Sequence, residues 1–186
     1  MGTTRHLICG IGNPGPRYAW TRHSVGLVIL DELQMHFDLP RFDAQGWSLG
    51  ESSYGALALF KSDRLMNESG LAIRRAVRRF PSNRPIIVHD ELELPPQRFK
   101  YRESGMSKGH NGLKSIMATL PGLQFSRLSV GIGRPSSREA DVVSSYVLGK
   151  IPRNDLAEYK AGTIVWITKF LQQLRDSQGK ETGPRL

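Results

Sequence analysis

The sequence predicts an α/β fold: a single domain with a twisted, mostly parallel (mixed) central sheet flanked by helices. Short apolar segments typical of buried strands alternate along the chain with longer segments whose apolar residues recur at helical spacing. The length of 186 residues suits one domain, and the hydrophobic (39%) and charged (23%) fractions are ordinary for a globular protein. We therefore expect a domain over residues 1–176 and a frayed tail at residues 177–186.

The elements of the first half follow from apolar spacing and from the residues that interrupt it. The apolar run Leu7–Ile11 ends in glycines and prolines, which predicts a buried strand followed by a sharp turn. Ser24 is a candidate cap for a helix that Pro40 ends. Further strands are expected at residues 47–49 and 54–60, and a helix at 67–80 with Leu71 facing inward and its arginines (Arg74, Arg75, Arg78, Arg79) on a solvated face.

The second half repeats the alternation. Residues 85–90 form the clearest buried strand, and another is expected at 125–132. Helices are expected at 111–120 and 152–174, with a flexible polar loop at 105–109. Because ligand sites in such sheets gather at the carboxyl ends of strands, we expect Asn13, Asp90 and Arg134, which end or follow strands, to lie near one site.

Charge and cysteine content narrow the class of partner and the compartment. The net charge of +9 favours a polyanionic partner such as nucleic acid. Cys9 is the only cysteine, so the chain can form neither an internal disulfide nor a cysteine metal site, which fits a reducing compartment. The apolar runs are too short to span a bilayer and no signal-peptide pattern is seen, so we expect a cytoplasmic location, or a mitochondrial one if the source is eukaryotic.

A glycine-rich segment imitates a dinucleotide-binding loop. Residues 10–15 (GIGNPG) satisfy the G-x-G-x-x-G pattern after a strand. In that motif, however, a helix begins within the glycine run, whereas here Pro14 and Pro16 remove two N–H donors and the helical pattern begins only near Ser24. We therefore expect no dinucleotide cofactor and a loop that presents Asn13 to a pocket.

A histidine and an aspartate form a candidate catalytic pair. His23 lies at a loop-to-helix junction, where it serves either as a packing or capping residue or as a rigidly held base. Asp90 ends an apolar strand, where a carboxylate is costly unless it is paired, so it either caps a turn or orients an imidazole. Since no G-x-S-x-G motif accompanies them, the pair indicates a base that activates water.

Three asparagines stand in distinctive settings. Asn13 follows the first strand, and Asn67 stands at the start of a predicted helix. Asn111 lies in the segment GHNG at 109–112, between His110 and a glycine. An amide both donates and accepts hydrogen bonds, so it suits an ester or peptide backbone and a developing oxyanion. The local alternatives are a helix cap for Asn67 and a turn residue for Asn111.

Six short motifs spread over residues 7–150 carry a family resemblance. They are GIGNPG at 10–15, TRH at 21–23, MNESG at 66–70, HDEL at 89–92 with Pro95 and Pro96, GHNGLK at 109–114, and VGIGRP at 130–135. In this order and spacing they resemble the bacterial-type peptidyl-tRNA hydrolases. The resemblance implies a single α/β domain that cleaves the ester between a nascent peptide and the terminal ribose of tRNA, which frees the tRNA for reuse.

The resemblance also implies residue roles. His23 is expected to activate water and Asp90 to be its partner. Residues expected to bind the peptide, stabilise the tetrahedral intermediate or line the pocket are Asn13, Tyr18, Met66, Asn67, His110 and Asn111. Residues expected to face tRNA are Lys100, Arg102, Lys108 and Arg134. The resemblance implies no metal, no cofactor and no covalent intermediate; with peptidyl-tRNA as partner, we expect a monomer that does not associate with membranes.

Three departures from the family pattern bear on these expectations. Ser24 replaces the asparagine common after the histidine, so its hydroxyl takes over any contact of that amide or the contact is lost. Gln97 stands where a glycine often follows the two prolines. Residues 103–108 replace much of a glycine-rich loop, which bears on the mobility of the loop and on tRNA contact.

Three other functions remain as alternatives. A non-catalytic RNA-binding relative would bind tRNA without hydrolysis, but damaged site residues would mark it. A nucleotide-cofactor enzyme would bind a dinucleotide at residues 10–15. A different esterase would act on peptidyl esters that have no RNA body.

Overall fold

The computed structural model describes the backbone of residues 5–180 and the side chains of residues 6–173, and these residues form six strands and five α-helices. The strands are β1 (Arg5–Gly10), β2 (Trp47–Ser52), β3 (Gly55–Lys61), β4 (Ile86–Glu91), β5 (Phe99–Arg102) and β6 (Ser126–Gly131). The helices are α1 (Val25–His36), α2 (Ser69–Arg79), α3 (Asn111–Thr119), α4 (Ala140–Leu148) and α5 (Arg153–Lys180). Single 3-10 turns occupy Pro16–Tyr18, Arg22–Ser24 and Met66–Glu68.

The strands form one mixed sheet in the order β2-β3-β1-β4-β6-β5. The four inner strands are parallel, and each edge strand runs antiparallel to its neighbour. The predicted single α/β domain with a mostly parallel, mixed sheet is therefore confirmed. After β1 the chain adds β3 on one side of it, and β4 and β6 on the other side. The strand order therefore reverses between β1 and β4, and open α/β sheets form ligand crevices at the carboxyl ends of strands at such a point.

Alternate residues of the inner strands face two different helix layers. Ile8 of β1 packs in an apolar cluster with residues of α1 and α5, whereas Leu7 and Cys9 pack in a second cluster with residues of α2 and α3. Both sides of the sheet are thus buried, as expected for parallel strands. Burial also raises the pKa of the Cys9 thiol, which therefore stays protonated and unreactive at neutral pH.

Close packing of α1 against the sheet explains the glycine loop. A Cβ at Gly26 would lie 2.5 Å from the carbonyl oxygen of Val88 and 2.6 Å from that of Ile11. A Cβ at Gly10 would likewise lie 2.5 Å from the carbonyl oxygen of Gly26. The first glycine of the loop thus allows helix and strand to approach, and this approach brings the turn before α1 to the ends of β1 and β4.

The structure differs from the predicted elements in a few places. Strand β5 and helix α4 were not predicted, and the last helix continues to Lys180 rather than ending at 174. Residues 181–186 of the expected tail lie outside the described residues. Leu71, expected to face inward, is 36% exposed. Among the described helices, none combines the length and hydropathy required to cross a bilayer.

Candidate active site

A cleft of about 580 Å³ opens at the carboxyl ends of β1, β4 and β6. Its walls come from the loops after these strands, the turn before α2, the start of α3, and α4. The predicted site residues that line it are Asn13, Tyr18, His23, Met66, Asn67, Asp90, Lys108, His110, Asn111 and Arg134. The predicted convergence of Asn13, Asp90 and Arg134 is therefore observed.

His23 and Asp90 are directly hydrogen-bonded. His23 lies in the 3-10 turn before α1, and Asp90 lies near the end of β4, with only 3% of its surface exposed. The Nδ1 of His23 is 2.9 Å from both carboxylate oxygens of Asp90. Because a carboxylate only accepts hydrogen bonds, Nδ1 carries the proton, and Nε2 on the far side of the ring keeps its lone pair for the cleft.

The two groups shift each other's pKa. Burial alone would raise the pKa of Asp90, but the charges and hydrogen bonds of His110 and His23 hold it well below its usual range. Burial alone would lower the pKa of His23, but the charge and hydrogen bond of Asp90 outweigh burial and raise it above its ordinary value. Asp90 therefore remains ionised and favours a proton on His23.

His110 is a second donor to the same carboxylate. Its Nε2 is 2.8 Å from the Oδ1 of Asp90, and its Nδ1 accepts a hydrogen bond from the backbone N–H of Leu113 at 3.3 Å. The side chain thus caps the N-terminus of α3, and this cap leaves Nε2 as the nitrogen that carries the donated proton. The sequence did not indicate this capping role.

His89 contacts the backbone of Asp90 and the neighbouring strand β6. Its Nδ1 donates to the backbone oxygen of Asp90 at 2.7 Å, and its Nε2 is 3.1 Å from the hydroxyl of Ser129. Burial, with a smaller contribution from nearby His110, lowers the pKa of His89 to about 3. The ring is therefore neutral at physiological pH and acts as a structural hydrogen-bonding group.

Asn13 is held by hydrogen bonds to both its side chain and its backbone. Its Oδ1 accepts from the backbone N–H of Met66 at 2.8 Å, so the Nδ2 end of the amide is the one left to donate. The hydroxyl of Ser24 contacts the N–H and the carbonyl oxygen of Asn13 at 3.2 and 3.0 Å. Ser24 occupies the N-cap position of α1, as predicted, but its hydroxyl makes no cap hydrogen bond because these contacts occupy it.

The other two asparagines are exposed at the cleft. Asn67 lies in the 3-10 turn before α2, and Glu68, not Asn67, is the N-cap residue of that helix. Asn111 is the first residue of α3 and follows the capping His110. Neither amide therefore performs the local role considered from the sequence, and both lie among the lining residues.

Met66 and Tyr18 also line the cleft, but in different ways. Met66 is buried, and its Sδ occupies the space that a Cβ at Gly112 would need, only 2.4 Å from that position. Tyr18 is partly exposed in the first 3-10 turn. Met66 thus joins the turn before α2 to the start of α3 beneath the cleft.

The four predicted tRNA-facing residues divide into two pairs. Lys108 and Arg134 line the cleft, and the Nε of Arg134 donates to Glu93 at 3.0 Å. Lys100 and Arg102 lie on edge strand β5 and do not line it. The cleft and the exposed edge of the sheet are therefore two separate places where basic residues meet solvent.

Three side chains could offer ligand atoms to a cation. One atom each of His23, Asp90 and His110 lie within 4.8 Å of one another. In the hydrogen-bonded arrangement, however, the His23 and His110 atoms that face Asp90 carry protons. A cation at this point would have to displace both protons.

Helix α4 supplies a wall that the sequence did not indicate. Its cleft-lining residues are Ala140, Val143, Ser144, Val147 and Leu148. Their spacing of three or four residues is the helical signal that could have identified this wall. Ala140, Val143, Val147 and Leu148 add apolar surface to a cleft whose loops contribute mostly polar groups.

Comparisons with known proteins agree with this geometry. The chain matches the family model described as peptidyl-tRNA hydrolase over residues 7–182. It is 40% identical over 158 residues to the peptidyl-tRNA hydrolase of Geobacter sulfurreducens (82% of this chain, 80% of the relative). It is 37% identical over 155 residues to that of Wolbachia sp. subsp. Brugia malayi (81% and 84%). The crystal structure of peptidyl-tRNA hydrolase from Acinetobacter baumannii superposes with a TM-score of 0.79 at 29% identity and covers 97% of this chain and 93% of that one.

Proposed function

The chain belongs to the peptidyl-tRNA hydrolase family, and we propose that it hydrolyses the ester bond between peptide and tRNA in peptidyl-tRNA with water activated by His23. The observation that carries this proposal is the contact of His23 with both oxygens of Asp90, at 2.9 Å each. This contact fixes the tautomer in which Nε2 can accept a proton from water at the cleft.

The reaction proceeds through a tetrahedral intermediate. Water bound at Nε2 of His23 attacks the ester carbonyl, and its proton passes to Nε2 as the new carbon–oxygen bond forms. The intermediate then breaks the bond to the ribose oxygen, which receives the proton from His23. The products are a peptide with a free carboxylic acid and tRNA with a free terminal hydroxyl. Asp90 stabilises the imidazolium that exists between the two steps.

The three asparagines bind the substrate around this base. The Nδ2 of Asn13 is positioned because Oδ1 is held by Met66, so it donates to the substrate without first reorienting. Asn67 and Asn111 offer amide groups from the turn before α2 and the start of α3. We assign to these amides the peptide backbone and the oxyanion, and to Tyr18, Met66 and His110 the lining of the pocket.

Basic residues bind the RNA body. Lys108 and Arg134 at the cleft and Lys100 and Arg102 on β5 contact phosphates, where the net charge of +9 adds long-range attraction. Because one chain supplies every side chain that this mechanism uses, we propose that the protein works as a monomer. We propose the cytoplasm, or the mitochondrion of a eukaryotic source, as its compartment.

An N-acetylaminoacyl-tRNA tests the function. The protein is incubated with this substrate in the presence of a chelator, and both bound and released tRNA are measured. We expect release of tRNA with a chelator present. Binding without release would instead support an RNA-binding relative, and equal activity on a peptidyl ester that has no RNA body would support a general esterase.

A further inference from the structure

A buried arginine contacts the loop between β5 and α3. Arg127 is the second residue of β6, and only 4% of its surface is exposed. Its Nη1 donates to the carbonyl oxygen of Met106 at 2.6 Å, and its Nη2 donates to that of Ser104 at 2.7 Å. Both acceptors belong to the backbone, so the guanidinium holds the loop through its main chain.

The loop is shaped around this guanidinium. Gly105 lies between Ser104 and Met106, whose carbonyl oxygens accept these hydrogen bonds. Its φ is 124°, which residues other than glycine rarely adopt. A Cβ at this position would lie 2.4 Å from the Nη2 of Arg127. Arg84 adds a hydrogen bond to the carbonyl oxygen of Glu103. Arg84 and Arg127 therefore bind three backbone carbonyl oxygens of the loop between β5 and α3.

Stability of the core does not account for Arg127. Its Nε is buried without a hydrogen-bond partner among the described residues. A buried cation that is incompletely hydrogen-bonded costs free energy that an apolar side chain of similar volume avoids. The charge of Glu91 is favourable to the guanidinium, but the hydrogen bonds of Arg127 go to the loop.

The held segment leads directly to the cleft. The carbonyl oxygen of Ser107 accepts from the N–H of His110, and Lys108, at a φ of 48°, lines the cleft between them. Met106 does not anchor the loop by burial, because it is 82% exposed. Lys108 thus lies two residues after the Met106 carbonyl that Arg127 holds. His110 has its own anchors, since it caps α3 and contacts Asp90.

We propose that Arg127 is a positioning residue for RNA binding, which holds residues 104–106 so that Lys108 faces the phosphates of the tRNA. This proposal rests on the proposed function. It differs from a purely structural role because its effect must pass through Lys108 and must be absent when the substrate has no RNA body.

The first test needs no substrate. The rate of tryptic cleavage after the exposed Lys108 is compared in the wild type, Arg127→Met and Arg78→Met, where Arg78 is an exposed arginine on α2. We expect this rate to rise about tenfold in Arg127→Met alone, because the loop that carries Lys108 loses two backbone contacts. An unchanged cleavage rate would overturn the proposal. If Arg127→Met does not fold, Arg127→Lys, which keeps the charge but has one nitrogen in place of the two that contact the loop, is used with the same criterion.

The second test separates positioning from structure. With N-acetylaminoacyl-tRNA we expect Arg127→Met to raise KM about tenfold and to change kcat by less than twofold. With an N-acetylaminoacyl ester of adenosine, kcat/KM should be unchanged. The KM effect should also largely disappear when Lys108→Ala is already present. A full effect in that background, or on the adenosine ester, would contradict the proposal. Inactivity of the wild type on both substrates would refute the proposed function, while the cleavage experiment would still test the role of Arg127.

Discussion

The hydroxyl of Ser24 bridges the backbone N–H and the carbonyl oxygen of Asn13, at 3.2 and 3.0 Å. Ser24 directly follows His23, so this contact connects the loop after β1 to the turn that carries the proposed base. Met66 holds the other end of Asn13 through its N–H. The amide that we assign to the substrate is thus positioned by the neighbour of the proposed base.

Removing this bridge should affect both stability and activity. We expect Ser24→Ala to lower the free energy of unfolding by about 1–3 kcal/mol, because two buried backbone groups lose their partner. The value of kcat should fall several-fold as Asn13 becomes less fixed. Urea denaturation and steady-state kinetics measure both effects, with Ser82→Ala at an exposed position as the control. Equal stability of the two variants would show that the bridge contributes nothing.

The contact between Asp90 and His23 should appear in the pH profile. A base must be neutral to accept a proton, and Asp90 raises the pKa of His23, so the acidic limb of kcat/KM should lie above the ordinary histidine value. In Asp90→Asn, burial alone remains, so this limb should move to lower pH while the plateau falls about 10²–10⁴-fold. Profiles of both proteins and of the exposed control Asp38→Asn test this. If the acidic limb does not move in Asp90→Asn, then Asp90 does not determine the pKa of His23.

His89 should make the fold sensitive to acid. Its pKa is about 3 in the folded state against 6.5 in the unfolded chain, so below pH 6.5 the unfolded state binds a proton that the folded state excludes. Stability should therefore fall with decreasing pH by up to about 1.4 kcal/mol per pH unit between pH 6.5 and 4.5. The raised pKa of His23 adds no slope there, because its contribution is lost only as pH rises above 6.5. The variant His89→Gln keeps a donor and an acceptor but binds no proton, so its stability should depend less steeply on pH in urea denaturation. An equal slope would assign the sensitivity to other groups.

Arg134 should contribute to RNA binding in competition with Glu93, which it contacts in the structure. We expect Arg134→Ala to raise KM several-fold and to reduce the dependence of log KM on log salt by about one unit, because one phosphate contact is lost. Glu93→Gln should lower KM, since it frees the same guanidinium. Arg78→Ala, on the exposed face of α2, is the basic control. An unchanged salt dependence in Arg134→Ala would remove this residue from the RNA surface.

Much of the fold could be predicted because its strands are apolar and its helices are bounded by capping residues and prolines. The strand at 85–90 and the helix at 111–120 were located within one residue at each end. Strand β5 was missed because it has only four residues, although the alternation of Phe99 and Tyr101 with basic residues is a strand signal. Helix α4 was missed because it is short, contains valines, which have low helix propensity, and has no capping residue that marks its start.

The site could be predicted only as far as single residues carry chemistry. His23, Asp90 and Asn13 were singled out because their types are unusual at the ends of apolar strands and at a loop-to-helix junction, and the family resemblance supplied the roles that we propose for them. The contacts of Ser24 with Asn13, of His110 with the N–H of Leu113, and of Arg127 with the loop join distant parts of the chain or depend on local geometry. Residue type and spacing alone do not encode such contacts.

The single-turnover rate of His23→Ala tests the central claim most directly. The rate of tRNA release from N-acetylaminoacyl-tRNA and the affinity for uncharged tRNA are measured for this variant and for His36→Ala, at an exposed histidine far along α1. We predict that His23→Ala loses about 10²–10⁴ in rate and keeps its tRNA affinity within twofold, while His36→Ala retains both. A rate for His23→Ala within tenfold of the wild type would contradict the assignment of His23 as the base.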